Sequence, residues 1–150
     1  MRVLVDTNVV ARLLPRAGSN AHIVALGAVT RLHDERSELF VVPQVLYEFW
    51  VIATRPIEQN GFGLTPAEAS QDLGRLQRLF TLLRDERSIY DRWEQLVTRT
   101  QVAGKAAHDA RLVAAMERHG LSHLLTFNAS DFKRYFSIQL LEPGVVSPSP

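Results

Sequence analysis

The 150-residue sequence contains no cysteine. That absence excludes disulfide scaffolds, thiolate zinc sites, iron–sulfur clusters and cysteine nucleophiles, and it suits a reducing compartment. No apolar run approaches the ~18 residues of a membrane-spanning helix, and the N-terminal MRVLVDTN lacks the apolar core of a signal peptide. A soluble cytoplasmic protein with no membrane role is the expectation. Lysine is scarce too: Lys105 and Lys133 are the only two among 17 basic residues, set against 16 acidic ones for a formal charge of +1. No net field draws a polyanion, so any nucleic-acid partner must be gripped locally, chiefly by arginines whose planar fork suits phosphate.

What is present is a globular composition, 46% apolar, at a length that suits one domain. Short apolar runs alternate with helical patterns, which predicts an α/β fold. Val3, Leu4 and Val5 form a run of the kind buried on both faces of a parallel sheet, and Asp6-Thr7-Asn8 ends it abruptly. Ser19 offers an N-cap for a helix over 19–35, followed by a strand over 39–42. Pro43 suits the first position of a helix, and the stretch from there to Ala53 is read as almost wholly apolar apart from Glu48. Gly61 and Gly63 mark a loop. Thr65-Pro66-Ala67-Glu68 reads as a capping box opening a further helix. A short strand is expected over 81–83, a helix beginning at Ser88, and a small-residue helix over 106–118 that stops at Gly120. The last strands fall at 124–126 and 138–141. The domain is thus read as 1–142, with 143–150 as a frayed tail.

Three carboxylates fit poorly with solvated helix faces. Asp6 follows a buried strand, where it serves either as a turn or N-cap residue or as a site residue. Glu48 stands among Val45, Val51 and Ile52 at helical spacing, so its charge needs a partner or a helix edge open to water. Asp109 begins an Ala-rich helix, where the helix dipole alone could account for it. The segment LLTFNASDF adds Thr126, Asn128, Ser130 and Asp131 after an apolar run. Parallel sheets bind ligands outside the carboxyl ends of their strands, where Asp6 and Thr126 are both predicted to lie. Carboxylates gathered there would repel one another unless a hard cation lay between them, and oxygen ligands point to magnesium or manganese.

VLVDTNVV, the isolated Glu48, KAAHDARLVAAM and LLTFNASDF together strongly resemble the PIN domain over nearly the whole chain. Within it they resemble the VapC-type toxin ribonucleases of type II toxin–antitoxin pairs. The resemblance implies a mainly parallel sheet of about four to five strands flanked by helices. It implies hydrolysis of RNA phosphodiesters by metal-activated water, with Mg²⁺ or Mn²⁺ held by an acidic cluster. By position, Asp6 and Asp109 become metal ligands and Glu48 the third acid, with Thr7, Asn8 and Thr126 in support. Many relatives carry a fourth acid two residues after the threonine; this chain has Asn128 there and Asp131 three residues on. Asn128 is therefore a candidate ligand and Asp131 a candidate acid, and one ion is expected before two. RNA contacts are expected from Arg12, Lys105, Lys133 and Arg134. The family further implies a cognate antitoxin and a homodimer.

Two other functional readings compete, a non-catalytic PIN-like module binding RNA or protein and a solitary PIN nuclease of RNA processing. A haloacid-dehalogenase-like phosphatase also ends a strand in Asp, but requires a second Asp two residues later, where Asn8 stands. If the acids do crowd an empty metal site, Asp6→Asn and Asp109→Asn should each be at least as stable as the parent without metal.

Overall fold

Val3, Leu4 and Val5 are fully buried because the strand that carries them is the middle one. In the computed structural model, which describes residues 1–14 and 19–147, β1 (Arg2–Val5) pairs on one side with β2 (Glu38–Val41) and on the other with β4 (His123–Leu125). Leu4 stands in register with Phe40 and with Leu124. β3 (Thr81–Leu82) lies outside β2 and β5 (Gln139–Leu141) outside β4, giving the order β3-β2-β1-β4-β5 with every pair parallel. The expected α/β class and strand number are observed.

Parallel neighbours need crossover connections, and helices supply them. Between β1 and β2 run α1 (Thr7–Val10), a 3-10 turn Ala11–Leu13 and α2 (Asn20–Asp34). Between β2 and β3 run α3 (Pro43–Thr54) and α4 (Pro66–Leu79). α5 (Ser88–Thr100) and α6 (Ala106–His119) precede β4, and α7 (Ala129–Phe132) precedes β5. The apolar sides of α3 and α6, including Val45, Phe49, Val113 and Met116, are fully buried in one core with the central strands. Among the described residues no helix is long and apolar enough to cross a membrane.

Local chemistry explains the element starts. Thr65 and Glu68 form the expected capping box, each side chain meeting the other residue's backbone N–H, and Pro43 opens α3. Gly120 closes α6 with φ of 64°, a left-handed conformation that glycine adopts without a Cβ penalty. Ser19 occupies the N-cap position of α2 without a side-chain capping bond.

Two segments go beyond the sequence reading. After Asp6, read as a turn or N-cap residue or a site residue, α1 starts at once, the Asp6 carboxylate accepting the Thr7 N–H. Within the tail expected to fray, Pro143–Val146 forms α8, with Pro143 buried and the turn packed against α2. Gly27 makes room for it, since a Cβ there would stand 2.5 Å from Ser147 Oγ. Tertiary packing, invisible to local pattern, orders this turn. Residues 148–150 of that tail lie outside the described residues.

Candidate active site

The parallel register places the ends of β1 and β4 side by side, and the Asp6 N–H donates to the Leu125 carbonyl at 3.0 Å. The two polar segments that follow are knitted together. The Asp6 carboxylate, 8% exposed, accepts from Thr126 Oγ1 at 2.6 Å, from the Thr7 N–H at 2.7 Å and from Asn8 Nδ2 at 3.0 Å. Asn8 Oδ1 in turn accepts the Phe127 N–H, and Thr126 Oγ1 accepts the Asn128 N–H. Burial pushes the Asp6 carboxyl above its usual range; the bonds from Thr126, Thr7 and Asn8 oppose that rise, and the charge of Glu48 adds to it. Asp6 is therefore the cap of α1 and at the same time a buried acid at the sheet edge.

Glu48 reaches the same place from α3. Its Oε2 accepts from Thr7 Oγ1 at 2.7 Å and its Oε1 from Gln44 Nε2 at 3.0 Å. Neutral donors, rather than a cation, hold this half-buried carboxylate. Gln44 Nε2 also donates to the His108 carbonyl at 2.9 Å, while Gln44 Oε1 accepts from Arg111, which pairs with Asp85 at 3.1 Å. Gln44 thus links α3 to the start of α6. It escaped the sequence reading, although its position one helical turn before Glu48 was the available signal.

Asp109 lies in the first turn of α6 and is half-exposed. Its carboxyl is pushed from 3.8 to about 6, first by burial and then by the charges of Asp131 and Asp6, with a smaller push from Glu48; Lys105 opposes. Asp6, Glu48, Asp109 and Asp131 all line one cleft of about 610 Å³ at the carboxyl edge of the sheet, and Asn128 lines it too. All four acids singled out in the sequence are brought together.

Of the basic residues expected to meet RNA, Arg12 and Lys105 line this cleft. Arg12 is committed in part, donating to the Asn8 carbonyl at 2.6 Å with its guanidinium 4.8 Å from the Phe127 ring centroid. Lys133 and Arg134, just after α7, are exposed and lie outside the lining. Asn60 and Phe62, from the expected loop, and Arg55, which the sequence reading did not single out, do line it. The His108 ring faces a separate cavity of about 490 Å³ with Tyr90 and Trp93.

The donor set suits a hard divalent cation in kind, being oxygens only and mutually repelling. Among the described residues no three His, Asp or Glu side chains already stand as a closed cation cage.

The family model of the PIN domain matches residues 3–136. The chain belongs to the PIN domain family. Its fold is close to that of VapBC2 from Rickettsia felis bound to a promoter DNA fragment, at 14% identity with a TM-score of 0.69, covering 95% of this chain and 98% of that one. DNA-bound VapBC from Salmonella typhimurium matches at 16% identity with the same score and coverage. VapC20 of Mycobacterium tuberculosis, a toxin that cleaves the sarcin–ricin loop, matches at 21% identity and 0.62, covering 89% and 95% of the two chains. No curated protein is similar in sequence. In this PIN domain the acidic cleft occupies the sheet edge where an open parallel fold places its ligands.

Proposed function

We propose that this PIN domain is a Mg²⁺- or Mn²⁺-dependent endoribonuclease and the toxin of a toxin–antitoxin pair. One observation carries the reading: four carboxylates from separate segments line a single cleft, and their proximity with burial raises Asp109 to about 6. Like charges gathered in this way are unfavourable unless a cation joins them. Asp6, Glu48 and Asp109 would hold that ion. Asp131 weighs more heavily on Asp109 than any other charge does, which supports it over the uncharged Asn128 as fourth acid. When bound, the cation supplies Lewis-acid polarisation of the phosphate and activation of water.

The chain's own part is to prepare the site. Thr7, Asn8, Thr126 and Gln44 fix the oxygens of Asp6 and Glu48 before any ligand arrives, so little reorganisation is needed on binding. Lys105 and Arg12 stand ready for phosphate oxygens on the rim. The structural neighbours named VapBC are toxin–antitoxin assemblies, which supports a cognate antitoxin here. Tyr47, 65% exposed, and Val51, 57% exposed, share the outer face of α3 beside the cleft and suit such a covering segment. A homodimer in the cytoplasm completes the reading.

Incubating labelled RNA with the purified protein in Mg²⁺, Mn²⁺ or chelator, beside Asp6→Asn and Asp109→Asn, tests it. Cleavage is expected only for the parent with metal; cleavage that survives chelation or either substitution overturns the mechanism. The second reading, a binding module without catalysis, draws on the uncharged amide of Asn128 in the cleft lining. RNA retained but never cut in Mn²⁺ would establish it.

A further inference from the structure

One wall of the cleft is built by a segment that the acids do not explain. α3 ends at Thr54, and the chain folds back over its last carbonyls: Phe62 N–H donates to Ile52 O, Leu64 N–H to Ala53 O and Gly63 N–H to Arg55 O, each at 2.9 Å. Asn60 takes a left-handed φ of 62°. Gly61 has no space for a side chain, since a Cβ would lie 2.0 Å from the Arg55 carbonyl oxygen. This knot fixes Arg55 and Phe62 in the cleft lining.

Arg55 is not spent on the fold. Its NH2 donates to the Asn60 carbonyl at a long 3.3 Å, its Nε is buried with no hydrogen-bond partner, and it makes no ion pair among the described residues. Nor does it serve the acids. Asp6 and Glu48 are satisfied by Thr7, Asn8, Thr126 and Gln44, and the cation that acts on Asp109 is Lys105. A guanidinium with open donors, held by a rigid loop beside four carboxylates, is placed for an anion that enters the cleft from outside. Phe62, half-exposed on the same wall, adds an aromatic surface.

We infer that Arg55 and Phe62 form a nucleotide subsite for single-stranded RNA, next to the position where the acids meet the scissile phosphodiester. Arg55 donates to a non-bridging oxygen of the neighbouring phosphate, and Phe62 stacks on a base that only an unpaired strand can offer. The inference rests on the ribonuclease reading above.

The test is steady-state cleavage of a short mixed-sequence single-stranded RNA in MnCl₂ by the parent, Arg55→Ala and Arg55→Gln. Binding of Mn²⁺ alone is followed by electron paramagnetic resonance. Loss of one phosphate contact should raise KM about tenfold and flatten its salt dependence, with kcat little changed, and Mn²⁺ affinity should match the parent. Arg55→Gln keeps a polar amide in place of the charged guanidinium, so it decides the matter if Arg55→Ala fails to fold. An unchanged KM in an active enzyme overturns the subsite alone, as does a fall in Mn²⁺ affinity parallel to the loss of cleavage. A parent that neither binds nor cuts RNA overturns the ribonuclease reading and the subsite with it.

Discussion

Replacing Asp109 by asparagine removes a charge that the metal-free fold holds at a cost. The carboxyl is raised from 3.8 to about 6 in the folded protein, so between those values the unfolded chain has lost its proton while the folded one keeps it. The contribution of Asp109 to the stability of the metal-free parent therefore falls as pH rises from about 4 to about 6, and is flat above. At 1.36 kcal/mol per pH unit the full shift corresponds to about 3 kcal/mol. Asp109 is half-exposed, and solvent screening brings the expectation to about 1–2 kcal/mol. Asp109→Asn should then melt about 3–6 °C above the parent at pH 7.5 in chelator. The gap should close by pH 4, where both side chains are neutral. Thermal denaturation at the two pH values measures it. A variant that melts below the parent at pH 7.5, or a gap that does not depend on pH, would refute the electrostatic account and make this carboxylate structural.

Divalent cation should invert that order: saturating MnCl₂ is expected to raise the parent's melting temperature and leave Asp109→Asn nearly unmoved, as calorimetry would show. Asp6→Asn should gain less than Asp109→Asn in chelator, because an amide cannot accept all three bonds that converge on the Asp6 carboxylate. Equal gains would show that those bonds contribute nothing. Thr126→Val deletes the shortest of them and strands the Asn128 N–H; urea unfolding should reveal a loss of about 1–3 kcal/mol. Gly61→Ala must displace the backbone at Arg55, so it should lower stability by about 1–3 kcal/mol and raise KM for RNA; an unaltered melting curve would contradict the close approach.

The four acids were legible because each breaks a local pattern: Asp6 ends a buried run, Glu48 interrupts an apolar helix, and Asp109 and Asp131 follow motifs with recognisable spacing. Gln44 breaks no pattern that strongly, and its role depends on the His108 carbonyl 64 residues away. Arg55 was not singled out, because only the return of residues 56–64 over the end of α3 places it in the lining of the acidic cleft. Lys133 and Arg134 follow the last motif in sequence, yet only the fold shows that they lie outside the cleft lining while Arg12 and Lys105 are part of it. The helical turn Pro143–Val146 was hidden for a similar reason: its order comes from contact with α2 rather than from its own propensity.

By itself the sequence determined the α/β alternation, the capping box, the strand-ending Asp-Thr-Asn and, through the missing cysteines, the exclusion of thiolate ligands. These follow from interactions within a few residues or from composition, and they are written along the chain. Only the tertiary structure decided that Thr126 bonds Asp6 across 120 residues, that Asp109 holds its proton to about pH 6, and that Arg12 and Lys105, but not Lys133 and Arg134, face the cleft. Electrostatic energies depend on distance and burial, and both are set only when the parallel sheet brings the ends of its central strands together.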